Sequence, residues 1–383
     1  MSKTIIIIGA GLAGLSAALQ AAENGCNVKL VSSLPSERAQ SVMAEGGINA
    51  ALNTKDENDS PEEHFTDTIK AACGLADPNA VWGMTQAAPE LVHWLLKLGV
   101  KFNMSGYDDV DLRNFGGQKK KRTAFAQSDT GKQIMTAMID AVRKKEASGM
   151  VERFSHHSFL TLRLCGNICC GCVIRDEYSQ ETVELPGDAV IVATGGMHGL
   201  FGNTTGSLSN TGEVTAELFR LGVPLANGEM IQYHPTTVKC GGKRMLISEA
   251  ARGEGGRLFA MKDGKQWYFM EEKYPELGNL MPRDITAREI WKVSHESEVF
   301  LDMTEISDEI ISNKLSGLAD DCMTYLHKDI RKEPVSVLPG IHYFMGGILV
   351  DEQHRTPIQN LYAAGECCAQ YHGANRLGGN SLL

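Results

Sequence analysis

Four consecutive isoleucines run directly into a glycine-rich turn near the start of the chain, and this junction restricts the fold more than any other feature. Residues 5–8 form an apolar strand, residues 9–14 read Gly-Ala-Gly-Leu-Ala-Gly, and residues 15–22 are typical of a helix. In this G-x-G-x-x-G arrangement Gly9 makes a tight turn, Gly11 lets a pyrophosphate approach the backbone, and Gly14 packs the helix on the strand. Free N–H groups at the helix N-terminus favour phosphates. The junction predicts an α/β fold with a Rossmann-like dinucleotide-binding domain.

Further glycine turns, far apart in the chain, extend this domain. The second strand, residues 27–31, ends in two serines rather than in the acidic residue that usually binds the ribose hydroxyls, so the motif alone does not choose between FAD and NAD. Glycine pairs follow at residues 46–47 and 195–196, and residues 361–366 form another strand that ends in a glycine turn. This layout indicates a Rossmann domain that a long insertion interrupts and that resumes near the C-terminus.

Five signature motifs occur in order along the second half of the chain. They are His234-Pro235-Thr236, Ser-Glu-Ala-Ala-Arg-Gly-Glu-Gly-Gly at residues 248–256, Pro282-Arg283-Asp284, His-Tyr-Phe-Met-Gly-Gly at residues 342–347, and His-Gly-Ala-Asn-Arg-Leu-Gly-Gly-Asn-Ser-Leu-Leu at residues 372–383. Together with the glycine turns, these motifs resemble the flavoprotein subunit of succinate dehydrogenase and fumarate reductase, in a superfamily that includes L-aspartate oxidase. The resemblance covers essentially every residue and implies FAD as the cofactor.

The resemblance also implies how the chain is divided. It predicts the first part of the FAD-binding domain at residues 1–228, a smaller α+β capping domain at residues 229–341, and a return segment of the FAD-binding domain at residues 342–383. The capping domain is expected to close over the flavin and exclude water. Within the first part, apolar positions at helical spacing predict an amphipathic helix over residues 130–145.

By the same resemblance, the FAD contacts are expected from the first glycine turn, the end of the second strand, the loop before residue 46, and turns near the middle and the end of the chain. The expected residues are Gly9, Gly11, Leu12, Ala13, Gly14, Ser32, Ser33, Ser41, Val42, Met43, Glu45, Gly46, Gly47, Ala193, Thr194, Gly195, Glu213, Glu366, Ser381 and Leu382. Glu213 stands where the family usually has aspartate, which adds a methylene to a close contact.

The motif residues match what a dicarboxylate such as fumarate or succinate requires, namely two separated clamps, a hydride on one carbon and a proton on its neighbour. The resemblance implies that Arg376 pairs with one carboxylate in the bidentate geometry that arginine favours. His234 and His342 are expected to reach the carboxylates as well. Ser248 keeps the hydroxyl of the threonine that is usual in the family, and Arg283 matches the family's proton donor.

Arginine is an unusual acid because its pKa is about 12.5 or higher, so a proton donor at Arg283 has to regain its proton at once. The resemblance implies that Glu249 and Arg252 form the relay that returns it. On a helix, their spacing of three would place both side chains on one face. Taken alone, the same spacing is more typical of an ordinary salt bridge.

Two substitutions bear on the cofactor and on the direction of turnover. Gln40 occupies the position at which most membrane-linked members carry a histidine that is joined covalently to the flavin. A carboxamide cannot form that bond, so FAD is expected to bind noncovalently. Because the covalent bond is associated with a raised flavin potential, its absence favours fumarate reduction over succinate oxidation. Glu45, where succinate dehydrogenases commonly have glutamine, favours the same direction.

Another substitution separates the candidate enzymes. Phe115 occupies the position of the glutamate that receives the substrate ammonium in L-aspartate oxidase, and burying an unpaired ammonium against a phenyl ring is costly. This ranks a fumarate reductase or succinate dehydrogenase flavoprotein first, ahead of L-aspartate oxidase and of 3-ketosteroid- or urocanate-type relatives. A non-catalytic flavin-binding subunit is the remaining alternative, and loss of the arginine relay would support it. The relay residues are present.

Charge and cysteine content restrict the partners. The formal net charge of −10 argues against nucleic acid, which needs a basic surface, and the one basic run, residues 119–122, is interpreted as a solvated loop. Ten cysteines without a secretory signal indicate a reducing compartment. A cysteine cluster falls in a predicted hairpin, residues 159–165 and 168–174, where alternation sends Cys169 and Cys170 to opposite faces. No metal site is therefore expected.

The resemblance implies an iron–sulfur subunit and a membrane anchor as partners, with the protein in the cytoplasm or on the inner face of the cytoplasmic membrane. Because the first strand is predicted to begin at about residue 4, no signal peptide or membrane span is expected before it. Residues 380–383 have the form of a helix start, and the resemblance implies that this helix and a C-terminal helical domain follow. The 383 residues are therefore expected to be part of a longer chain.

Overall fold

The isoleucine strand lies at the centre of a five-stranded parallel sheet in the computed structural model, which describes residues 2–107 and 109–383. The strands, in chain order, are β1 Thr4–Ile8, β2 Asn27–Ser32, β3 Ile48–Asn49, β4 Leu112–Arg113, β5 Thr123–Ala124, β6 Val151–Ser155, β7 His157–Cys165, β8 Ile168–Asp176, β9 Thr182–Pro186, β10 Ala189–Val192, β11 Leu225–Ala226, β12 Ile231–Cys240, β13 Lys243–Leu246, β14 Arg257–Lys262, β15 Lys265–Trp267, β16 Val299–Asp302, β17 Val335–Ser336, β18 Leu338–Phe344, β19 Gly347–Ile348 and β20 Leu361–Ala363.

The helices lie between groups of these strands along the chain. The α-helices are α1 Leu12–Glu23, α2 Pro61–Ala72, α3 Pro78–Lys97, α4 Thr130–Ala147, α5 His198–Phe201, α6 Glu213–Arg220, α7 Glu249–Gly253, α8 Phe269–Lys273, α9 Arg283–Val293, α10 Asp308–Lys314 and α11 Ser316–Asp321. Single 3₁₀ turns occur at Ser36–Arg38, Gln40–Met43, Gly278–Leu280, Gly365–Cys367 and Asn380–Leu382, and a π-helical turn at Cys322–Leu326.

The parallel sheet has the strand order β20-β10-β1-β2-β6 and is covered on both faces. Ile7 packs with residues of α1, α3 and α4 on one face. Ile6 and Ile8 point the other way and pack with the antiparallel sheet β7-β8-β9. Burial of both faces is what a parallel strand requires, and it explains why the sequence of β1 is continuously apolar rather than alternating.

A second core is formed by residues within 247–337 together with Phe115. It is built by the sheet β15-β14-β16-β17 and the helices around it, with Leu258, Phe269, Ile290 and Leu301 fully buried. A separate sheet, β13-β12-β18, joins this part of the chain to the segment that returns to the parallel sheet. Strand β18 runs through the predicted boundary at residue 341, and the three predicted domain ranges remain a proposal.

Two elements predicted from local patterns are confirmed. The amphipathic helix is α4, which buries Ile134, Met138, Ile139 and Val142. The hairpin is β7–β8, with its tight turn at residues 166–167. None of the helices in the described residues combines the length and the apolar content that a membrane span requires.

The interpretation of residues 119–122 as a solvated loop is wrong for Arg122. Its side chain is fully buried and pairs with two carboxylates, Asp59 at 2.8 Å and Asp67 at 3.0 Å. Burying a cation without such partners would be prohibitive. Lys119 and Lys121 do lie on the surface. The interpretation therefore holds for these two lysines and fails for Arg122.

Candidate active site

A cavity of about 1270 Å³ opens at the carboxyl ends of β1, β10 and β20. This edge of a parallel sheet is where α/β proteins place their ligands. The glycine turn, the loop at residues 38–47 and the turn at residues 193–196 line one part of it. The other part is lined by side chains from β12, β18, α7 and α9. Residues around the parallel sheet and residues of the part of the chain that holds the second core therefore share one cavity.

The glycine turn has the geometry that its spacing predicts. Gly9 has φ of +113°, and a Cβ on it would lie 2.2 Å from the carbonyl oxygen of Ala193. A Cβ on Gly14 would lie 1.9 Å from the carbonyl oxygen of Gly9, so only glycine lets α1 pack this closely on β1. At Gly11, in contrast, the nearest atom would be 3.6 Å away. The backbone there is open to a ligand at the start of α1, where the helix dipole is positive.

Most of the expected FAD contacts line the cavity. They are Gly9, Gly11, Leu12, Ala13, Ser32, Ser33, Ser41, Met43, Glu45, Gly46, Gly47, Ala193, Thr194, Gly195, Glu213, Glu366, Ser381 and Leu382. Two expected contacts do not line it, and each has a physical reason. Gly14 faces the backbone of Gly9, and Val42 packs against the core beneath the parallel sheet.

Two of these lining residues carry buried polar atoms that lack a hydrogen-bond partner within the described residues, Ser32 Oγ and Glu45 Oε2. Such groups are costly unless a ligand or water satisfies them. Burial, and then the nearby Asp321, raises the pKa of Glu45 to about 8, so the carboxyl is largely protonated at neutral pH. The open turn, the long cavity and the unsatisfied polar atoms fit a bound dinucleotide such as FAD.

Three charged side chains form a buried line that we call the charged triad, Arg252–Glu249–Arg283. Glu249 Oε2 accepts from Arg283 Nε at 2.6 Å, and Glu249 Oε1 lies 3.5 Å from Arg252 Nη2. The helix α7 provides the spacing of three that places Glu249 and Arg252 side by side, and α9 begins at Arg283. Burial opposes ionisation of Glu249, but the two guanidinium groups outweigh it and lower its pKa. The carboxylate is therefore charged and held between two cations.

Gln232 joins Arg283 to Arg376, and the sequence patterns did not single it out. Its Oε1 accepts from Arg283 Nη1 at 3.2 Å and from Arg376 Nε at 3.1 Å, and its Nε2 donates to the Arg376 carbonyl at 2.7 Å. Gln232 lies two residues before His234 on β12, which puts both on one face of the strand. That spacing was the signal that could have found it.

Arg376 contacts neutral side chains of the chain but forms no ion pair with the described residues. Its Nη1 donates to Ser381 Oγ at 2.5 Å, and its guanidinium lies over the Tyr343 ring at 4.4 Å. Its Nη2 is buried without a hydrogen-bond partner in the described residues. Burial, and then the charge of Arg283, lowers the pKa of Arg376 to about 9. An anionic ligand would relieve both the unsatisfied donor and the cation–cation repulsion.

His234 and His342 face each other from the paired strands β12 and β18, with ring centroids 5.0 Å apart. Thr205 Oγ1 lies 2.7 Å from His342 Nδ1 and orients that ring, a contact that no sequence motif indicated. His234 Nε2 is buried with no hydrogen-bond partner in the described part of the chain. Burial and the neighbouring arginines hold the pKa of both rings well below the usual value. Both histidines are therefore neutral hydrogen-bonding groups.

Ser248 and Phe115 complete the expected substrate residues, and both line the cavity. Ser248 is the N-cap of α7, where its Oγ accepts from the Ala250 amide at 3.4 Å, so its hydroxyl proton is free to point elsewhere. Phe115 is buried, and a Cβ on Gly46 would lie 2.8 Å from its ring. The cavity thus has an apolar wall at this position.

The predicted catalytic and substrate residues therefore meet at one place. Arg283, Glu249, Ser248, His234, His342, Arg376 and Phe115 line a single cavity, and Arg252 lies behind Glu249 at its buried end. Two guanidinium groups and two neutral imidazoles face one another across it. The excess of positive charge suits an anion, and the separated donors suit a ligand with an acidic group at each end.

Comparison with known proteins gives consistent results. A family model described as "FAD binding domain" matches residues 4–382. The chain is 44% identical over 390 residues to the succinate dehydrogenase flavoprotein subunit of Bacillus subtilis, covering 100% of this chain and 67% of that protein. It is 34% identical over 395 residues to L-aspartate oxidase of Streptomyces coelicolor, covering 100% and 66%.

A solved structure shows the same fold at similar coverage. The FrdA chain of E. coli quinol fumarate reductase superposes with a TM-score of 0.91 at 30% identity, covering 100% of this chain and 67% of FrdA. The sequence thus spans about two thirds of the length of the relatives that it matches. The α/β fold predicted from the glycine turn is confirmed, and so is FAD as the cofactor that the resemblance implies.

Proposed function

The chain belongs to the FAD-binding family of succinate dehydrogenase and fumarate reductase flavoprotein subunits, and from this premise we propose that it interconverts fumarate and succinate. It is an FAD-dependent oxidoreductase. The proposed direction is fumarate reduction, with Arg283 as the proton donor. The observation that carries the proposal is the pair Arg283 and Arg376, bridged by Gln232 beside two neutral histidines.

The donor arrangement supports a dianion with two carboxylates. Arg376 has an unsatisfied buried Nη2 to offer to one carboxylate, and guanidinium binds carboxylates in a bidentate manner. The neutral imidazoles of His234 and His342 and the Ser248 hydroxyl supply hydrogen bonds for the other carboxylate without adding charge. Clamping both ends fixes the bond between them in one orientation, which is what a stereospecific proton transfer requires.

We assign proton delivery to the charged triad. Bound FAD would supply the hydride in fumarate reduction and accept it in succinate oxidation. Arg283 donates a proton to the neighbouring carbon, and Glu249, at 2.6 Å from its Nε, is placed to return one. Arg252 reaches the far side of the same carboxylate. Because a neutral guanidine would be short-lived, such immediate return makes arginine usable as an acid.

The main competing activity, L-aspartate oxidation, is disfavoured by Phe115. A substrate ammonium at this wall would be buried against a phenyl ring, and the nearby Glu249 carboxylate is already paired with Arg283. A non-catalytic role is also disfavoured, because every member of the charged triad keeps its partner.

An anaerobic assay with a reduced viologen dye tests the substrate. Flavin-loaded protein is offered fumarate, crotonate, urocanate or iminosuccinate, and dye oxidation is followed. We expect turnover with fumarate alone, because crotonate and urocanate each lack one carboxylate and iminosuccinate brings a nitrogen to the Phe115 wall. A parallel assay with the oxidised dye compares L-aspartate with succinate, and faster oxidation of L-aspartate would contradict the proposal.

Partner subunits and the division of the chain are further parts of the proposal. We propose that an iron–sulfur subunit and a membrane anchor connect the flavin to the electron donor, with this subunit peripheral on the inner face of the cytoplasmic membrane or free in the cytoplasm. Residues 229–341 would act as the capping domain over the FAD-binding parts at residues 1–228 and 342–383. Affinity purification of the tagged protein from its native membranes, with metal analysis of the co-purified subunits, tests the partner proposal.

A further inference from the structure

The tip of the β7–β8 hairpin carries four cysteines that the proposed reaction does not use. Cys165 ends β7, and Cys169, Cys170 and Cys172 lie on β8. Cys169 and Cys172 have C-x-x-C spacing. Within the described residues, however, no group of three or more His, Cys, Asp or Glu side chains is placed so that it could hold a metal ion. The cluster is therefore better understood as thiol chemistry than as a metal site.

A β-bulge brings one pair of these thiols together. Arg163 pairs with Gly171 and Leu164 with Cys169, so Cys170 is an extra residue with no partner on β7. A bulge bends the strand and redirects the side chain of the extra residue. As a result Cys170 Sγ lies 2.7 Å from Cys165 Sγ. Both thiols are free in this structure.

The other two cysteines of the hairpin are protected. Cys169 is 1% exposed and Cys172 is 0% exposed, and both pack in the core between the hairpin and the parallel sheet. Burial raises the pKa of both thiols, that of Cys172 to about 12. Cys165, in contrast, is exposed and Cys170 is half-buried. A reagent from solution therefore meets Cys165 first, with Cys170 directly behind it.

We propose that Cys165 and Cys170 form a reversible dithiol–disulfide pair that reacts with peroxides. The Cys165 thiolate attacks the O–O bond of hydrogen peroxide, becomes a sulfenic acid and releases the first water. The sulfur of Cys170 then attacks the Cys165 sulfur, the S–S bond forms, and the second water leaves. Two thiols lose two electrons, the peroxide gains them, and the two thiol protons leave in the water. A dithiol reductant reverses the change.

The pair lies next to a segment that leads into the cofactor site. At the hairpin turn Asn167 Nδ2 donates to the Pro357 carbonyl at 3.0 Å, and the Gln359 amide donates to the Asn167 carbonyl at 3.0 Å. The Cys169 amide donates to the Gln359 carbonyl at 2.8 Å. The segment continues into β20 and then to Glu366 at the cavity. Oxidation would therefore stiffen the hairpin tip together with residues 357–360.

The test uses flavin-loaded protein that is reduced with dithiothreitol, desalted, and treated with hydrogen peroxide before alkylation and peptide mass spectrometry. We expect a linked Cys165–Cys170 peptide, the loss of two alkylatable thiols per chain, and full recovery with dithiothreitol. Cys165→Ser should leave Cys170 alkylatable. Cys170→Ser should trap a sulfenic acid at Cys165 that dimedone labels. The matched control Cys73→Ser, which removes an exposed cysteine at the end of α2, should still form the disulfide.

Two results would overturn the proposal, and both are read on the wild-type chain. One is full alkylation of Cys165 and Cys170 after peroxide treatment. The other is irreversible sulfinic acid at Cys165 with Cys170 still a free thiol. Hydrogen exchange gives an independent measurement that needs no variant. The amides of Cys169 and Gln359 should exchange more slowly in the oxidised protein than in the reduced protein, and equal rates would remove the proposed link to residues 357–360.

Discussion

At the scale of single residues, the chemistry depends on where four buried guanidinium groups are held. Arg122 and Arg252 are each paired with a carboxylate inside the protein, whereas Arg376 forms no ion pair with the described residues and its guanidinium lines the cavity. Arg283 is shared between Glu249 and Gln232. Buried cations are costly unless paired, so a cation such as Arg376, which has no acidic partner among the described residues, is the one that an anionic ligand would stabilise most.

Replacing Arg283 tests its assignment as the proton donor. Arg283→Gln should lower kcat for fumarate by about 10²- to 10⁴-fold, the usual contribution of a general acid, with a modest change in KM. The lost interaction is made mainly as the proton moves, so it is a transition-state effect. Arg288→Gln is the matched control, because this arginine lies on the same helix with its side chain 62% exposed. Near-normal kcat in Arg283→Gln would move the acid role to a histidine or to water.

Glu45 gives a prediction for the pH dependence of stability. Its pKa is raised from 4.5 to about 8, mainly by burial and then by Asp321. A group with a raised pKa stabilises the fold while it is protonated. That contribution is complete below pH 4.5 and is lost as pH rises through 8. Glu45→Gln should therefore gain stability over the wild type by up to about 1.4 kcal/mol per pH unit in this window.

Urea unfolding of the two flavin-free proteins at several pH values between 5 and 9 measures this difference, with the exposed Glu296→Gln as control. A difference that does not change with pH would show that Glu45 titrates at its ordinary pKa in the folded chain.

At the scale of elements, the 3₁₀ turn Gln40–Met43 bears on how the cofactor is attached. Gln40 lines the cavity, and its Nε2 donates to the Thr205 carbonyl at 3.4 Å. A carboxamide has no nucleophilic nitrogen that could bond to a flavin. Acid precipitation of the holoprotein should leave all yellow FAD in the supernatant and no fluorescent band on a denaturing gel. Flavin retained by the precipitated protein would show that another residue forms the bond.

The last 3₁₀ turn, Asn380–Leu382, is held by a buried amide network. Asn49 Nδ2 donates to the Gly378 carbonyl at 2.8 Å and to Asn380 Oδ1 at 2.6 Å, and the same Oδ1 lies 2.8 Å from His64 Nε2. This network fixes the turn that carries Ser381, the partner of Arg376.

Breaking this network should therefore cost both stability and affinity. Asn49→Leu leaves buried partners unsatisfied, at about 1–3 kcal/mol for each group. It should lower the free energy of unfolding by at least that amount and weaken FAD binding. Asn313→Leu, at an exposed position of α10, is the control. Urea unfolding and flavin titration measure the two effects, and an Asn49→Leu protein as stable as this control would contradict the assigned role.

At the scale of the whole molecule, features that depend on neighbouring residues were predicted from the sequence, whereas features that depend on distant contacts were not. The glycine turn, α4 and the β7–β8 hairpin depend on neighbouring residues, and periodicity and turn chemistry identify them. Gln232 was missed because its partner Arg376 is 144 residues away. Arg122 was interpreted as solvated because its partner Asp59 is 63 residues away and nothing near residue 122 indicates it. Burial of a polar side chain depends on tertiary contacts that a single sequence does not display.

The site residues came from motifs rather than from physical patterning. His234, Glu249, Arg283 and Arg376 are scattered over more than 140 positions, and no period or local spacing links them. Their common cavity follows only once β12, α7 and α9 are packed against the returning segment.

The strand order of the parallel sheet has a consequence for synthesis of the chain. Strand β1 pairs with β2 early, but its other edge waits for β10, because Ile7 lies beside Ile191. At about 5–20 residues per second, the ribosome needs roughly 10–40 s to add the residues between them. During that time an edge of four isoleucines stays open to other nascent chains. Cotranslational chaperone capture in the interval before β10 emerges is therefore expected to set the yield of folded protein.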